Sequence, residues 1–153
     1  MKISKKCEYA LKALVELAMD HDRGINLTLI SDIADRENIP PRYLEHIMLS
    51  LKKSGILKSK RGVGGGYSLS RPSRSISLGE VIKTIDGPIT SQGSKSCVEE
   101  LNEGNAVSYC LQSIMNDVGN IMLKAVNSIS LQEMTKKTLD SIDYSKNVLN
   151  YAI

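Results

Sequence analysis

The chain has 153 residues, 41% of them hydrophobic but none of them Trp or Phe, which excludes a disordered chain and leaves Leu, Ile, Val, Ala and Met to build a core that suits helices. Net charge is only +3, yet Pro40 to Ser75 holds eight basic residues (Arg42, Lys52, Lys53, Lys58, Lys60, Arg61, Arg71, Arg74) against one acid, Glu45. That stretch carries +7 and the remainder −4, the footprint expected for a protein that meets a phosphate backbone, with a solvated basic face as the plainer alternative.

Met1-Lys2-Ile3-Ser4-Lys5-Lys6 leads into no continuous apolar run, so no signal peptide is expected, and nothing approaches the ~18 apolar residues of a membrane span. The expected location is the cytoplasm. There Cys7, Cys97 and Cys110 are free, redox-sensing or metal-binding thiols in preference to disulfide partners.

Ala10, Leu11, Ala13, Leu14, Leu17 and Ala18 recur at helical spacing and predict a first helix, broken by Asp20-His21-Asp22-Arg23-Gly24. Thr28 is the expected N-cap of a short second helix carrying Leu29, Ile30, Ile33 and Ala34. Asn38-Ile39-Pro40-Pro41 is a tight turn, with Pro41 suited to the first turn of a third helix. That helix gathers Tyr43, Leu44, Ile47, Met48 and Leu51 on one face and ends near Ser54-Gly55. Its other face carries Arg42, Glu45, His46, Lys52 and Lys53.

Short strands are expected at Ile56–Lys60 and Tyr67–Ser70, around the loop Arg61-Gly62-Val63-Gly64-Gly65-Gly66. Glycines there allow positive φ and close backbone approach to another molecule. Ser77-Leu78-Gly79-Glu80 reads as a capping box for a fourth helix through Val81, Ile82 and Ile85, ended by Asp86-Gly87-Pro88. Residues 88–105 form a polar connection. A long helix from about Ala106 to Asn127 spaces Val107, Leu111, Ile114, Val118, Ile121 and Ala125 by 4, 3, 4, 3, 4, the a/d pattern of a dimer interface. Ser130-Leu131-Gln132-Glu133 is a second capping box, opening a last helix from Leu131 to about Leu139, before a weakly patterned tail.

The fold expected is mainly α: a winged helix-turn-helix with a two-stranded β wing, plus a long C-terminal dimerisation helix. Its parts are a DNA-binding domain over 1–87, a loop with a candidate sensor cysteine over 88–105, dimerisation helices over 106–140 and a tail over 141–153. The third helix would offer its basic face to the major groove, and a slim hairpin carrying Arg61 would enter the minor groove beside it. Gly62, Gly64 and Gly65 would leave room for sugars and phosphates. A phosphate-binding P-loop is excluded because Gly-Lys-Ser/Thr and a following helix are absent, and a strand after the glycines argues against a dinucleotide fingerprint. His21 and His46 do not form a metal-spaced pair, and no Ser/His/Asp arrangement is readable, so catalysis is not expected.

Tyr9-Ala10-Leu11, Tyr43-Leu44-Glu45, Leu51-Lys52-Lys53-Ser54-Gly55-Ile56-Leu57 and Arg61-Gly62-x-Gly64-Gly65-Gly66-Tyr67-x-Leu69 follow one another in an order that closely resembles the IscR/NsrR/CymR family, the Rrf-two family. Gly79-Glu80-Val81-Ile82, Asp86-Gly87-Pro88-Ile89 and Ile129-Ser130-Leu131-Gln132-Glu133 extend the likeness. The resemblance implies a homodimer whose long C-terminal helices cross and set two winged helices on a palindromic duplex operator. It implies a transcriptional regulator, in the leading reading a repressor, responding to iron–sulfur, redox, nitrosative or sulfur status. Arg42, Tyr43, Glu45 and His46 then face DNA, with His46 where the family often has Gln, and Arg61 matches the family's minor-groove arginine. Lys52, Lys53, Lys58 and Lys60 are read as phosphate contacts.

Cluster-binding members of that family carry three cysteines before the dimer helix. This chain has two, Cys97 and Cys110, and Ser113 stands where some relatives place a histidine. Some relatives complete the ligand set with an acidic residue on the first helix of the other subunit, the position of Glu8, next to Cys7. Two thiolates with Cys7 or Glu8 could hold a two-iron two-sulfur cluster across the dimer. The alternatives are a cluster-free redox thiol, or a protein-interaction module regulated by a partner enzyme; Cys7 alone also reads as a small buried hydrophobe.

Overall fold

The computed structural model describes residues 2–88 and 106–151, with side chains through residue 146. The expected connection over 88–105, Cys97 included, lies outside the described residues apart from Pro88. Along the chain come α1 (Lys5–Asp22), α2 (Ile30–Glu37), α3 (Pro41–Lys53), β1 (Leu57–Lys60), β2 (Gly66–Leu69), a 3-10 turn at Ser73–Ser75, α4 (Leu78–Asp86), α5 (Ala106–Ser128) and α6 (Leu131–Tyr151). The strands form one antiparallel hairpin in which Leu57 faces Leu69 and Lys60 faces Gly66. The predicted class, mainly α with a two-stranded wing, is the class observed.

α1 is the hub. Its Ala10, Ala13, Leu14, Leu17 and Ala18 are buried, and the small alanines let α2, α3, α4 and α6 pack close around it. Ile33, Leu44, Ile47, Met48, Leu51, Ile56, Ile76, Val81 and Leu131 close the same core. Truncating one of these leucines would cost about 2–5 kcal/mol through lost transfer energy and the cavity left behind. Ser4 caps α1 by accepting from the Cys7 amide at 3.0 Å, and its own amide donates to Asp86 at the end of α4 at 3.0 Å.

Three local expectations are corrected in turn. Thr28 does not cap α2: Leu29 occupies that position without a side-chain bond, while the Thr28 hydroxyl donates to Asp20 at 2.8 Å. The Thr28 backbone is paired with Tyr67, its side chain is turned to the Asp20 carboxylate and away from the helix amides, and α2 starts one residue later. Tyr43 lies outside the buried face of α3; it is 40% exposed, and its ring meets Tyr9 edge-on at 5.8 Å. The Ser77 box is half formed, because Ser77 accepts from the Glu80 amide but the Glu80 carboxylate turns to Arg71. The box at Ser130 is complete: the Ser130 amide donates to Glu133 at 2.8 Å and the Glu133 amide donates to Ser130 Oγ at 3.2 Å.

The last helix runs to Tyr151, well past Leu139. Its inward positions Met134, Thr138 and Ile142 face Leu11, Val15 and Met19 of α1 across a shallow apolar groove of about 380 Å³. A threonine in the middle of that series hides the apolar period. Thr135, Thr138, Ser141 and Ser145 turn their hydroxyls back onto carbonyls four residues earlier, which removes their competition with the helix.

The α5–α6 corner is fastened to the start of α4. Leu78 N–H donates to Ile129 O and Leu131 N–H to Ile76 O, both at 2.8 Å. Gly79 lies beneath Asn127 and Val126, where a Cβ would stand 2.1 Å from Asn127 Oδ1. α5, ~34 Å long in all, otherwise projects as a rod. Val107, Leu111, Ile114, Val118 and Ile121 on it are between 43% and 74% exposed, and Ala125 is exposed as well.

Candidate nucleic-acid interface

α3 buries Leu44, Ile47, Met48 and Leu51, and its remaining faces follow from a 3.6-residue turn. Arg42, Tyr43, Glu45, His46, Lys52 and Lys53 are all exposed. Among the described residues, the side chains of Arg42, Glu45, His46, Lys53, Lys58, Lys60 and Arg61 form no hydrogen bond or ion pair within the chain. Arg71 is different: it is held by Glu80 and the Ser75 carbonyl and drops out of the basic face.

The hairpin stands beside α3. Lys52 Nζ reaches Ser59 Oγ at 2.6 Å. Strand alternation then divides the wing: Ser59 faces α3, whereas Lys58 and Lys60 share the opposite side, beside His21 and Asn26. Between α3, the start of α2 and the wing runs a groove of about 350 Å³, lined by Leu29, Leu49, Lys52, Ser59, Arg61 and Tyr67. Leu29 and Leu49 are about half exposed there. Leu49 was not among the expected contacts. The available signal was its place on the polar stripe, three residues after His46 and four before Lys53.

The wing glycines have two separate reasons. Gly62 and Gly64 take φ of +92° and +71°, which side-chain-bearing residues rarely adopt. Gly65 needs space, since a Cβ would stand 2.5 Å from the Lys60 carbonyl oxygen. Gly66 needs space as well, because a Cβ would stand 2.7 Å from the Thr28 carbonyl oxygen. Close backbone approach at Gly65 and Gly66 is therefore to the chain itself. Val63 at the tip is fully exposed.

The four candidate metal ligands are not brought together. Cys7 is completely buried against Ile82 and Val126, and burial, followed by the nearby Asp86 charge, pushes its thiol up to about 11. A protonated, enclosed thiol is a poor metal ligand. Glu8 is partly exposed and paired with Lys5 at 2.9 Å. Cys110 is exposed on the first turns of α5, and Cys97 is outside the described residues. Among the described residues, no three His, Cys, Asp or Glu side chains are grouped as a metal site requires.

A core-packed helix-turn-helix, an exposed basic third helix and a glycine-tipped basic hairpin together define a winged helix-turn-helix, DNA-binding transcriptional regulator. The family model for Rrf2, described as "Iron-dependent Transcriptional regulator", matches residues 3–137, and the chain belongs to that family. It is 38% identical over 136 residues to an rrf2-like HTH-type transcriptional regulator of Rhodobacter capsulatus, covering 86% of this chain and 91% of the relative. It is 31% identical over 138 residues to the HTH-type transcriptional regulator IscR of Escherichia coli O1:K1, covering 88% and 80%. Among solved structures it is similar to CymR, the global cysteine regulator of B. subtilis, with a TM-score of 0.68 and 29% identity over 90% of this chain and 98% of that one. These relatives are transcriptional regulators, not enzymes. Among the described residues no helix is long and apolar enough to cross a membrane.

Proposed function

We propose that the chain works as a homodimer that binds a palindromic duplex operator and represses transcription in the cytoplasm. One observation carries the reading: the chain presents a basic face with unspent donors on α3 and the wing, and an uncovered apolar stripe on a separate helix, α5. Pairing α5 with its copy would cover the Val107–Ile121 stripe and place two winged helices on one duplex. Half-sites would then lie about one helical turn, ~34–36 Å, apart. Arg42, Tyr43, Glu45 and His46 read base edges, with Glu45 suited to accept from cytosine N4. Arg61 enters the minor groove, where Gly62 and Gly64 clear the sugars, while Gly65 serves the hairpin's own packing. Lys52, Lys53, Lys58 and Lys60 hold phosphates.

The signal we assign is iron–sulfur, redox, nitrosative or sulfur status. Cys7 does not fit as a ligand, so a cluster would rest on Cys97 and Cys110 with Glu8, shared between two copies. No part of the DNA-binding reading depends on it. Anaerobic purification with iron and sulfide analysis tests the cluster, and colourless, iron-free protein from iron-replete cells rules against it.

The test of the DNA reading is titration of a duplex that the protein itself selects from a random library. Arg61→Ala should weaken binding by about 1–3 kcal/mol. Parental binding should fall with salt at a log–log slope of about −0.9 per phosphate neutralised. An affinity that is flat against salt favours a protein partner over DNA.

A further inference from the structure

Thr28 sits where α1, α2 and the wing meet, and it is 3% exposed. Its backbone exchanges two hydrogen bonds with β2: Thr28 N–H donates to Tyr67 O at 3.0 Å, and Tyr67 N–H donates to Thr28 O at 2.8 Å. Gly66 lies directly on the Thr28 peptide, so close that no Cβ fits between them. The wing is thus a two-stranded hairpin leaning on a third, single-residue strand. Its side chain is held by one group, Asp20 in the last turn of α1.

Asp20 is 1% exposed. Its Oδ2 accepts from Thr28 Oγ1 at 2.8 Å, and both of its oxygens lie 3.0 Å from Arg36 Nη1 of α2. Arg36 also donates to Glu16 at 2.8 Å, and Arg23 approaches Asp20 at 3.6 Å. All of these neighbours offer hydrogens to Asp20 as they stand, and a carboxylate accepts from each. An amide there would either turn N–H groups toward the guanidinium, which cannot accept, or make the Thr28 hydroxyl reverse from donor to acceptor and lose its charge-assisted bond. The arrangement joins the end of α1, the body of α2 and the edge of the wing through one carboxylate.

We propose that Asp20 is a positioning residue for the wing: by holding Thr28 it sets where Arg61 stands relative to α3. The inference rests on the reading of Arg61 as a minor-groove contact. It goes beyond that reading in assigning DNA affinity to a residue buried in α1, outside the hairpin, which acts on the tip-proximal end of β2 through Thr28. Asp20, 1% exposed, touches no nucleic acid and acts only through Thr28, Tyr67 and the strand that follows the tip.

Two measurements on the full-length protein decide it. The first is native-state hydrogen exchange without DNA. Thr28→Val removes the hydroxyl, and Asp20→Asn removes one acceptor. Either should speed exchange of the Thr28 and Tyr67 amides about tenfold relative to the core amides of α3. Thr28→Ser keeps the hydroxyl and should match the parent. Unchanged exchange at those two amides overturns the proposal.

The second is a double-mutant cycle on the self-selected duplex. Thr28→Val alone should weaken binding about tenfold, and in an Arg61→Ala background the further loss should vanish. Losses that multiply would mean that Asp20 and Thr28 support the fold generally and not the wing, and they overturn the proposal. If Arg61→Ala alone binds as the parent does, the minor-groove reading fails, and the exchange experiment still decides whether Asp20 seats the wing.

Discussion

Lys52 Nζ donates to Ser59 Oγ at 2.6 Å, so the last turn of α3 is tied to the inner face of β1. Both partners lie at the surface, and an exposed bond of this kind contributes little to stability, about 1 kcal/mol or less. Its effect is geometric. The recognition helix and the wing are held at one separation, and a positive charge stays at the mouth of the groove between them.

Lys52→Ala and Ser59→Ala separate those two roles. Lys52→Ala should weaken binding similarly on all duplex sequences and make the salt slope shallower by about 1. Ser59→Ala keeps the charge and should leave the slope unchanged. Titrations at several salt concentrations check both, and equal slopes for the parent and Lys52→Ala would remove Lys52 from the phosphate contacts.

Gly66→Ala brings a methyl group against the Thr28 peptide, which is backbone and cannot swing aside. The hairpin must lift from its edge strand. We expect a stability loss of about 1–3 kcal/mol in urea denaturation, together with weaker DNA binding. An unfolding curve that overlays the parent's would mean that Gly66 is not held against Thr28.

Leu111 and Ile121 are 59% and 67% exposed on the projecting rod. Leu111→Asp with Ile121→Asp places charges where a paired helix would bury them. The expected result in sedimentation is a monomer with an unchanged helical signal, and a large loss of affinity for palindromic duplexes. A dimer that survives both changes would mean that subunits meet elsewhere.

Cys7 gives a prediction in pH. Its folded-state pKa is raised to about 11, so folding favours the neutral thiol. Below the ordinary thiol range both states are protonated, and the group adds no pH dependence. As pH rises through that range toward 11, the unfolded chain releases the proton first and stability falls. The loss approaches about 3 kcal/mol once both states are ionised. The difference between the parent and Cys7→Ala in denaturant titrations isolates this contribution from lysines and tyrosines. The difference should shrink steadily above pH 9. A pH-independent difference would contradict the burial of the thiol.

Much of the fold was legible because it rests on local periodicity. Pro41 opens α3, Gly62 and Gly64 supply positive φ at the wing, and the two Ser-x-x-Glu segments start helices where expected. The misses share a cause. Thr28 was read by its preference for caps, but pairing with Tyr67 and a carboxylate eight residues earlier in the chain fix it outside the helix. Tyr43 was counted with the core by its spacing, but Tyr9 of α1 draws it to the rim. The extension of α6 was masked by Thr138, whose inward place is set by the α1 surface and not by its own polarity.

The candidate interface divides in the same way. Residue type and spacing sufficed to nominate Arg42, Glu45, His46 and Arg61. Leu49 sits on the same stripe by helical spacing, but the network of Asp20, Arg36 and Thr28 has no local pattern, because its members meet only after α1, α2 and the hairpin have packed.

By itself the sequence determined the helix periods, the turn chemistry and the basic stretch, all properties of residues within a few positions of one another. Only the tertiary structure decided that Arg71 is neutralised, that Cys7 is enclosed and that the wing leans on Thr28. The physical reason is that charge, burial and hydrogen-bond satisfaction depend on which distant groups share a low-dielectric space, and chain order does not set that arrangement.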